Sequence, residues 1–156
     1  MTRLDYLHNL ATSESIHIHN YSFSNTKKAV CYHEKLDDFE HKAILIDKQR
    51  IETSAEEVEV LSEEIAHYQT DTLYYLNETI NHPLHRQNIK KMEARAKQQA
   101  IENAITAKEI QDAINLGYTD EYEIAEECGI TVNLLRNAFN LYQQKGVDFI
   151  YSEYCT

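Results

Sequence analysis

The sequence predicts an α+β fold: a small, mainly antiparallel sheet in the first third of the chain, then helices to the end. Three observations carry this. Ile16 and Ile18 alternate with His17 and His19, and Tyr21 and Phe23 continue the alternation, which is the period of a half-buried strand. Two more short runs, Ala29-Val30-Cys31-Tyr32 and Lys42-Ala43-Ile44-Leu45-Ile46-Asp47, follow across polar turns, and strands joined in this way pair antiparallel. From residue 54 onward the apolar spacing becomes helical, punctuated by capping boxes and glycines.

Taken in order, Leu4, Leu7 and Leu10 recur every third residue and predict a short helix from about Leu4 to Leu10. Lys35 to Glu40 reads as a polar turn or loop, and Lys48-Gln49 as a turn into Arg50-Ile51-Glu52. Ser54 and Glu57 form an S-x-x-E box, so the central helix is expected to start at Ser54 and run through His67 to about Leu76. Asn77 to Pro83 reads as a loop, because proline is tolerated at a helix edge and breaks its interior. The next helix is expected from about Leu84 or Arg86 to Ile105, with Ile89, Met92, Ala96, Ala100 and Ala104 on its buried face. Thr106 with Glu109 opens another helix that ends before Gly117. Asp120 with Glu123 opens the next, ending at Gly129, and Thr131 caps the last, which ends near Gly146. The chain thus divides into a core over 1–105, a helical module over 106–146 and an aromatic tail over 147–156, which packs on the body or on a partner.

The totals narrow the function. With 156 residues, 42% of them apolar, the chain can bury one real core with a small helical appendage. A net charge of -11 disfavours broad nucleic-acid binding, which needs a basic footprint, and leaves room for a neutral or basic protein partner. Cys31, Cys128 and Cys155 are odd in number, far apart and without a C-x-x-C, so neither a disulfide framework nor a cysteine zinc site is expected. Without an apolar leader behind Met1 or a run long enough to span a bilayer, the expected location is the cytoplasm.

One stretch of the central helix concentrates the chemistry. In Leu61-Ser62-Glu63-Glu64-Ile65-Ala66-His67-Tyr68, about 100° per residue puts Val60, Glu63, Glu64 and His67 on one face and Val58, Leu61, Ile65 and Tyr68 on another. Glu63 and His67 are i, i+4 and can reach one point, with Glu64 beside them. This is the spacing of a helix-borne metal site, with a carboxylate where H-E-x-x-H has its first histidine. On the following helix Glu93 falls within the apolar stripe, between Met92 and Ala96, while Lys90, Lys91, Lys97 and Gln98 are read as lying elsewhere. An acid there is costly unless paired. A cation shared by Glu63, His67 and Glu93 would satisfy all three; an ion pair to Arg95 or a lysine is the other solution. Tyr68, Tyr74, His82 and His85 are near enough in sequence to supply an oxyanion donor. His17, His19, His33 and His41 read as ordinary strand or loop residues.

In the helical module, Ala125, Gly129 and Leu135 have the spacing of a helix-turn-helix packing triad: small residue, turn glycine and wedge. Between Thr106 and Gly146 only Lys108, Arg136 and Lys145 oppose Glu109, Asp112, Asp120, Glu121, Glu123, Glu126 and Glu127. That balance favours a structural or protein-binding role over DNA readout.

The order of these features resembles the ImmA/IrrE family of metallo-endopeptidases. A short sheet ends in Ala43-Ile44-Leu45-Ile46-Asp47; Val60 to Tyr68 follows, then Lys91-Met92-Glu93-Ala94-Arg95-Ala96, then a small helical module. The similarity extends from about Ile16 to Gly146 and is closest to small phage and integrative-element members. The resemblance implies a zincin-like fold, one zinc ion or another divalent metal, and cleavage of a helix-turn-helix repressor that silences a mobile element. Carried over, it makes His67 and Glu93 metal ligands and Glu64 the catalytic acid–base group. Glu63 stands where the motif's first histidine would be, and ligates in its place. Two carboxylates and one imidazole neutralise a dication more fully than two imidazoles and one carboxylate, so bound water should be less acidified and metal choice broader. The same position motivates an alternative: a non-catalytic protein on this scaffold that antagonises a repressor by binding it.

Overall fold

The computed structural model describes residues 1–72 and 83–151, with the side chains of residues 83–85 outside the description. The α+β class is observed. One helix precedes a three-stranded sheet and the other described helices follow it, in the order α1 (Arg3–Ser13), β1 (Ile16–Asn20), β2 (Ala29–Leu36), β3 (Phe39–Ile46), α2 (Ser54–Gln69), α3 (Pro83–Ala104), α4 (Ala107–Asn115), α5 (Glu121–Cys128) and α6 (Val132–Gln144).

The sheet is mixed rather than mainly antiparallel. Its strand order is β1-β3-β2: β2 and β3 form an antiparallel hairpin, and β1 lies parallel to β3 on the other side. Residues 21–28 separate β1 from β2, too long a link for a tight hairpin, so β2 passes to the far side and β3 inserts between them. Asp47, almost fully buried, pins that link. Its carboxylate accepts from the Phe23 N–H at 3.0 Å and from Arg50 Nε at 3.1 Å, and the Phe23 bond is the first cause that holds its pKa below the usual range. Lys35 to Glu40 is strand apart from Asp37-Asp38, because alternating polar residues also suit a hairpin whose outer end is solvated; Lys35 pairs with Glu40 and His33 Nε2 lies 2.8 Å from Glu40.

The helix ends differ from the sequence expectation in informative ways. α1 is longer than Leu4–Leu10: a capping box of Thr2 and Asp5 starts it at Arg3, and it continues past Leu10 to Ser13. α2 is capped by Thr53, not Ser54. Thr53-Ser54 and Glu56-Glu57 offer two cap registers, and the earlier wins because the Glu56 carboxylate also accepts from the Glu52 N–H and from Lys28. α2 ends at Gln69 instead of about Leu76, since Asp71 turns into the left-handed region at φ 54°, which aspartate tolerates. The expected loop Asn77–Pro83 lies outside the described residues up to its proline, which opens α3. The capping box at Thr106 and the caps at Asp120 and Thr131 are present, although Asp120 accepts from the Tyr122 N–H and makes no box with Glu123, and Gly129 ends α5 in the left-handed conformation.

Most of the buried apolar residues form one continuous cluster from Leu7 to Tyr142, passing through the 105/106 division without a break. Ile16, Ile44 and Ile46 of the sheet meet Val58, Leu61 and Ile65 of α2, and Ile105, Ile110, Ile124 and Leu135 continue it. Polar ties cross the same division. Arg3 donates to the carbonyls of Ala104 and Cys128 and pairs with Glu109; Tyr142 Oη donates to the Ile105 carbonyl at 2.6 Å. Glu59 of α2 accepts from Thr131 Oγ1 at 2.6 Å and from Asn133 Nδ2 at 2.9 Å at the start of α6. Ala125 and Leu135 are buried where α5 meets α6, with Gly129 at the turn between them. The tail packs on the body as far as Ile150: Phe149 stands edge-on to Phe139, and Ile150 exchanges two hydrogen bonds with Gln111.

Candidate metal centre

α2 packs its apolar face on the sheet and lies along α3. Between the two helices is a cleft of about 90 Å³ lined by Glu63, His67, Glu93, Ala96 and Lys97. The three side chains expected to share a cation therefore stand on the walls of one cleft. Two roomier cavities contain none of these groups: one of about 410 Å³ by the N-terminus and the α3–α4 junction, which holds the structural ties of Arg3 and Glu109, and one of about 430 Å³ lined by Gln69, Thr70, Asp71, Arg95, Gln98 and Gln99. Among the described residues no three His, Cys, Asp or Glu side chains stand close enough to hold an ion as they are, so the cleft would have to close by side-chain rotation.

His67 is the best oriented of the three. Its Nδ1 is 2.6 Å from Thr72 Oγ1, and that hydroxyl is 3.4 Å from the His67 carbonyl oxygen. A tautomer with the proton on Nδ1 satisfies both contacts: Nδ1–H donates to Thr72, whose hydroxyl points at the carbonyl, and the Nε2 lone pair remains for a ligand. Metal-binding histidines are characteristically held this way by their other nitrogen. The early end of α2 makes it possible, because the left-handed turn at Asp71 folds Thr72 back onto the last helical turn.

Glu63 is exposed as a whole residue, yet partial burial of its carboxyl is the first cause that raises its pKa. The carboxylates of Glu59 and Glu64 raise it further, and His67 and Lys97 pull the other way. Glu93 is half-buried rather than deep in the apolar stripe, so its cost is smaller than its helical position suggests. Neither Glu63 nor Glu93 forms an ion pair among the described residues, and Arg95 is exposed, so the ion-pair solution is not the one adopted. Lys97, expected to lie away from Glu93, instead shares the cleft with it, because the two are i, i+4 on α3.

Glu64 faces a different neighbour. One step of about 100° around α2 turns it from the cleft toward β2, where the Cys31 thiol donates to its Oε2 at 2.8 Å and lies 3.2 Å from its backbone carbonyl. Burial first, then the Glu64 carboxylate, keep that thiol protonated far above the usual cysteine range. The sequence held no sign of Cys31 or Thr72 as partners, because both contacts depend on how β2 and the end of α2 are placed.

Tyr68 is committed to structure. Its hydroxyl accepts from the Ala43 N–H at 3.0 Å and donates toward the carbonyls of Ala43, at 2.6 Å, and Tyr32. Tyr74 and His82 lie outside the described residues, as does the side chain of His85. In the helical module all three basic side chains are in ion pairs: Lys108 with Asp112, Arg136 with Glu121, and Lys145 with Glu102. That leaves the α5–α6 pair poorly equipped to meet phosphates. Among the described residues no helix is long and apolar enough to cross a membrane. Compared with protein-family models, characterised proteins and solved structures, the chain matches none.

Proposed function

We propose that this chain is a metal-dependent endopeptidase, similar to the ImmA/IrrE family, that inactivates a helix-turn-helix repressor. The observation that carries the reading is the placement of Glu63, His67 and Glu93 on one cleft, with both acids outside any ion pair among the described residues. The donor set suits a divalent cation: two carboxylates and one imidazole with its second nitrogen anchored. When bound, zinc or a similar ion supplies Lewis acidity to the scissile carbonyl and to a water. Glu64 rests on Cys31 beside β2 and outside the cleft lining, so in this reading its carboxylate leaves the thiol and swings to the cleft, where it would accept the proton of the attacking water and pass it to the leaving amine. The acidic surface, with a net charge of -11 over the chain, suits the basic face that a DNA-binding repressor presents.

The engagement of Glu64 by Cys31, together with Glu63 in a histidine position, favours one second reading: a non-catalytic antagonist that binds the repressor. Co-expression with a candidate helix-turn-helix repressor, with the metal content of the purified protein, separates the two. Cleavage by the wild type, loss of cleavage in Glu64→Gln, and loss of metal and cleavage in His67→Ala support the endopeptidase. An uncut repressor whose silencing is relieved equally by wild type and Glu64→Gln supports the antagonist. A protein that neither binds metal in the cleft nor touches the repressor removes both.

A further inference from the structure

We propose that the open face of the sheet carries a separate metal site, built from His17, His19 and His41, for a borderline divalent transition ion such as zinc. The inference is independent of the cleft between α2 and α3. Strand alternation puts His17 and His19 on the face opposite Ile16 and Ile18, which enter the core. Parallel pairing of Ile16 with Lys42 and His17 with Ala43 sets His41 one diagonal step from His17 on that same outer face. The side chains lean together. Ring centroids are 6.2 Å apart for His17–His19, 5.4 Å for His17–His41 and 6.5 Å for His19–His41, with planes within 30° of one another.

That triangle has the right size. One point lies about 3.5 Å from all three centroids, and a Zn–N bond of about 2.0–2.1 Å plus the half-width of an imidazole requires about 3.2 Å. As they stand, the ring nitrogens do not converge. Closing the site takes rotations about the side-chain torsions of exposed His17 and His19, which such residues make in picoseconds to nanoseconds, toward the half-buried His41. Neutral imidazole is the commonest protein ligand for zinc, and three of them leave a fourth position open. The residue opposite His41 in the antiparallel register is Glu34, whose Oε2 accepts from Tyr32 Oη at 3.1 Å. It is placed to take that fourth position or to orient His41. Tyr32 and Phe39 stand at 6.2 Å and 6.1 Å from the His41 ring and restrict its swing, so less rotamer freedom is lost on binding. The ion would tie β1 to β3, the parallel pair of the sheet.

The test is Co²⁺ titration of the full chain, followed by visible absorption and calorimetry, with Zn²⁺ as competitor. In a His67→Ala/Glu93→Ala background, which removes the cleft donors, one Co²⁺ per chain should still bind, with the absorption of a site rich in imidazole nitrogen. His17→Ala, His19→Ala and His41→Ala should each weaken it at least tenfold, and His17→Ala/His41→Ala should abolish it. These side chains lie on the outer face, and matched circular-dichroism melts without metal check that the fold is intact. No Co²⁺ binding in the His67→Ala/Glu93→Ala background overturns the proposal. So does undiminished affinity in His41→Ala, which would leave only a two-histidine chelate on one strand. If the wild type binds a single ion that is lost with the sheet histidines alone, this site stands and the cleft reading fails.

Discussion

Replacing Glu63 by glutamine sets stability against metal binding. Glu59 lies one turn before Glu63 on α2 and is held in place by Thr131 and Asn133, so the like charges cannot easily separate. Partial burial, Glu59 and Glu64 raise the Glu63 pKa above its ordinary 4.5. An acid whose pKa is raised by folding binds its proton more tightly in the folded state. Its contribution is therefore most favourable below pH 4.5 and is lost as pH rises through the folded-state pKa, which leaves a destabilising charge at neutral pH. Because the residue is exposed, the magnitude follows the helical like-charge rule, about 0.2–0.5 kcal/mol. Glu63→Gln should thus raise the stability of metal-free protein at pH 7 by about 0.2–0.5 kcal/mol, or about 0.4–2 °C in Tm, and the gain should shrink toward pH 4. With zinc the order reverses. Free zinc at about one hundred times Kd stabilises the wild type by about 2.7 kcal/mol, and Glu63→Gln forfeits most of that by losing a donor. The assay is urea unfolding with chelator or zinc, both proteins carrying His17→Ala and His41→Ala so that the sheet face does not contribute. If Glu63→Gln is the less stable protein in chelator, or zinc stabilises both equally, the reasoning is refuted.

Tyr68→Phe should cost about 1–3 kcal/mol in urea unfolding, because the buried Ala43 N–H loses its phenol partner at the Tyr32–Ala43 pair; a cost below about 0.5 kcal/mol would show the phenol to be dispensable. Thr72→Val keeps the shape at His67 but removes the oxygen beside Nδ1, so zinc affinity of the cleft should fall about 10–100-fold by calorimetry, and unchanged affinity would remove Thr72 as the anchor. Leu135→Ala opens a fully buried site where α5 meets α6 and should destabilise by about 2–5 kcal/mol. Since the core is continuous, the whole chain should then unfold in one weakened transition; a separate early transition for residues 106–146 would show that the module folds alone.

How much was legible differs by element. The helical module could be read almost to the residue, because capping boxes and turn glycines act within a few positions: Thr106, Asp120, Thr131 and Gly129 all do what their local chemistry dictates. The sheet was legible in its strands but not in its pairing. Alternation marks which residues face inward, whereas neighbour and direction depend on where the 21–28 link travels. At the cleft, periodicity alone singled out Glu63, His67 and Glu93. The same periodicity grouped Glu64 with Glu63, yet one residue is enough to turn Glu64 toward Cys31.

The amino-acid sequence by itself determined the α+β class, the helix starts in the last third and the three residues around the cleft. Each follows from interactions between positions close in sequence: caps, i to i+4 neighbours and two-residue alternation. Only the tertiary structure decided that Thr72 anchors His67, that Cys31 holds Glu64, and that His41 joins His17 and His19 on one face. Each of these needs the chain to reverse or strands to register, and no local pattern encodes which surface a reversed segment will meet.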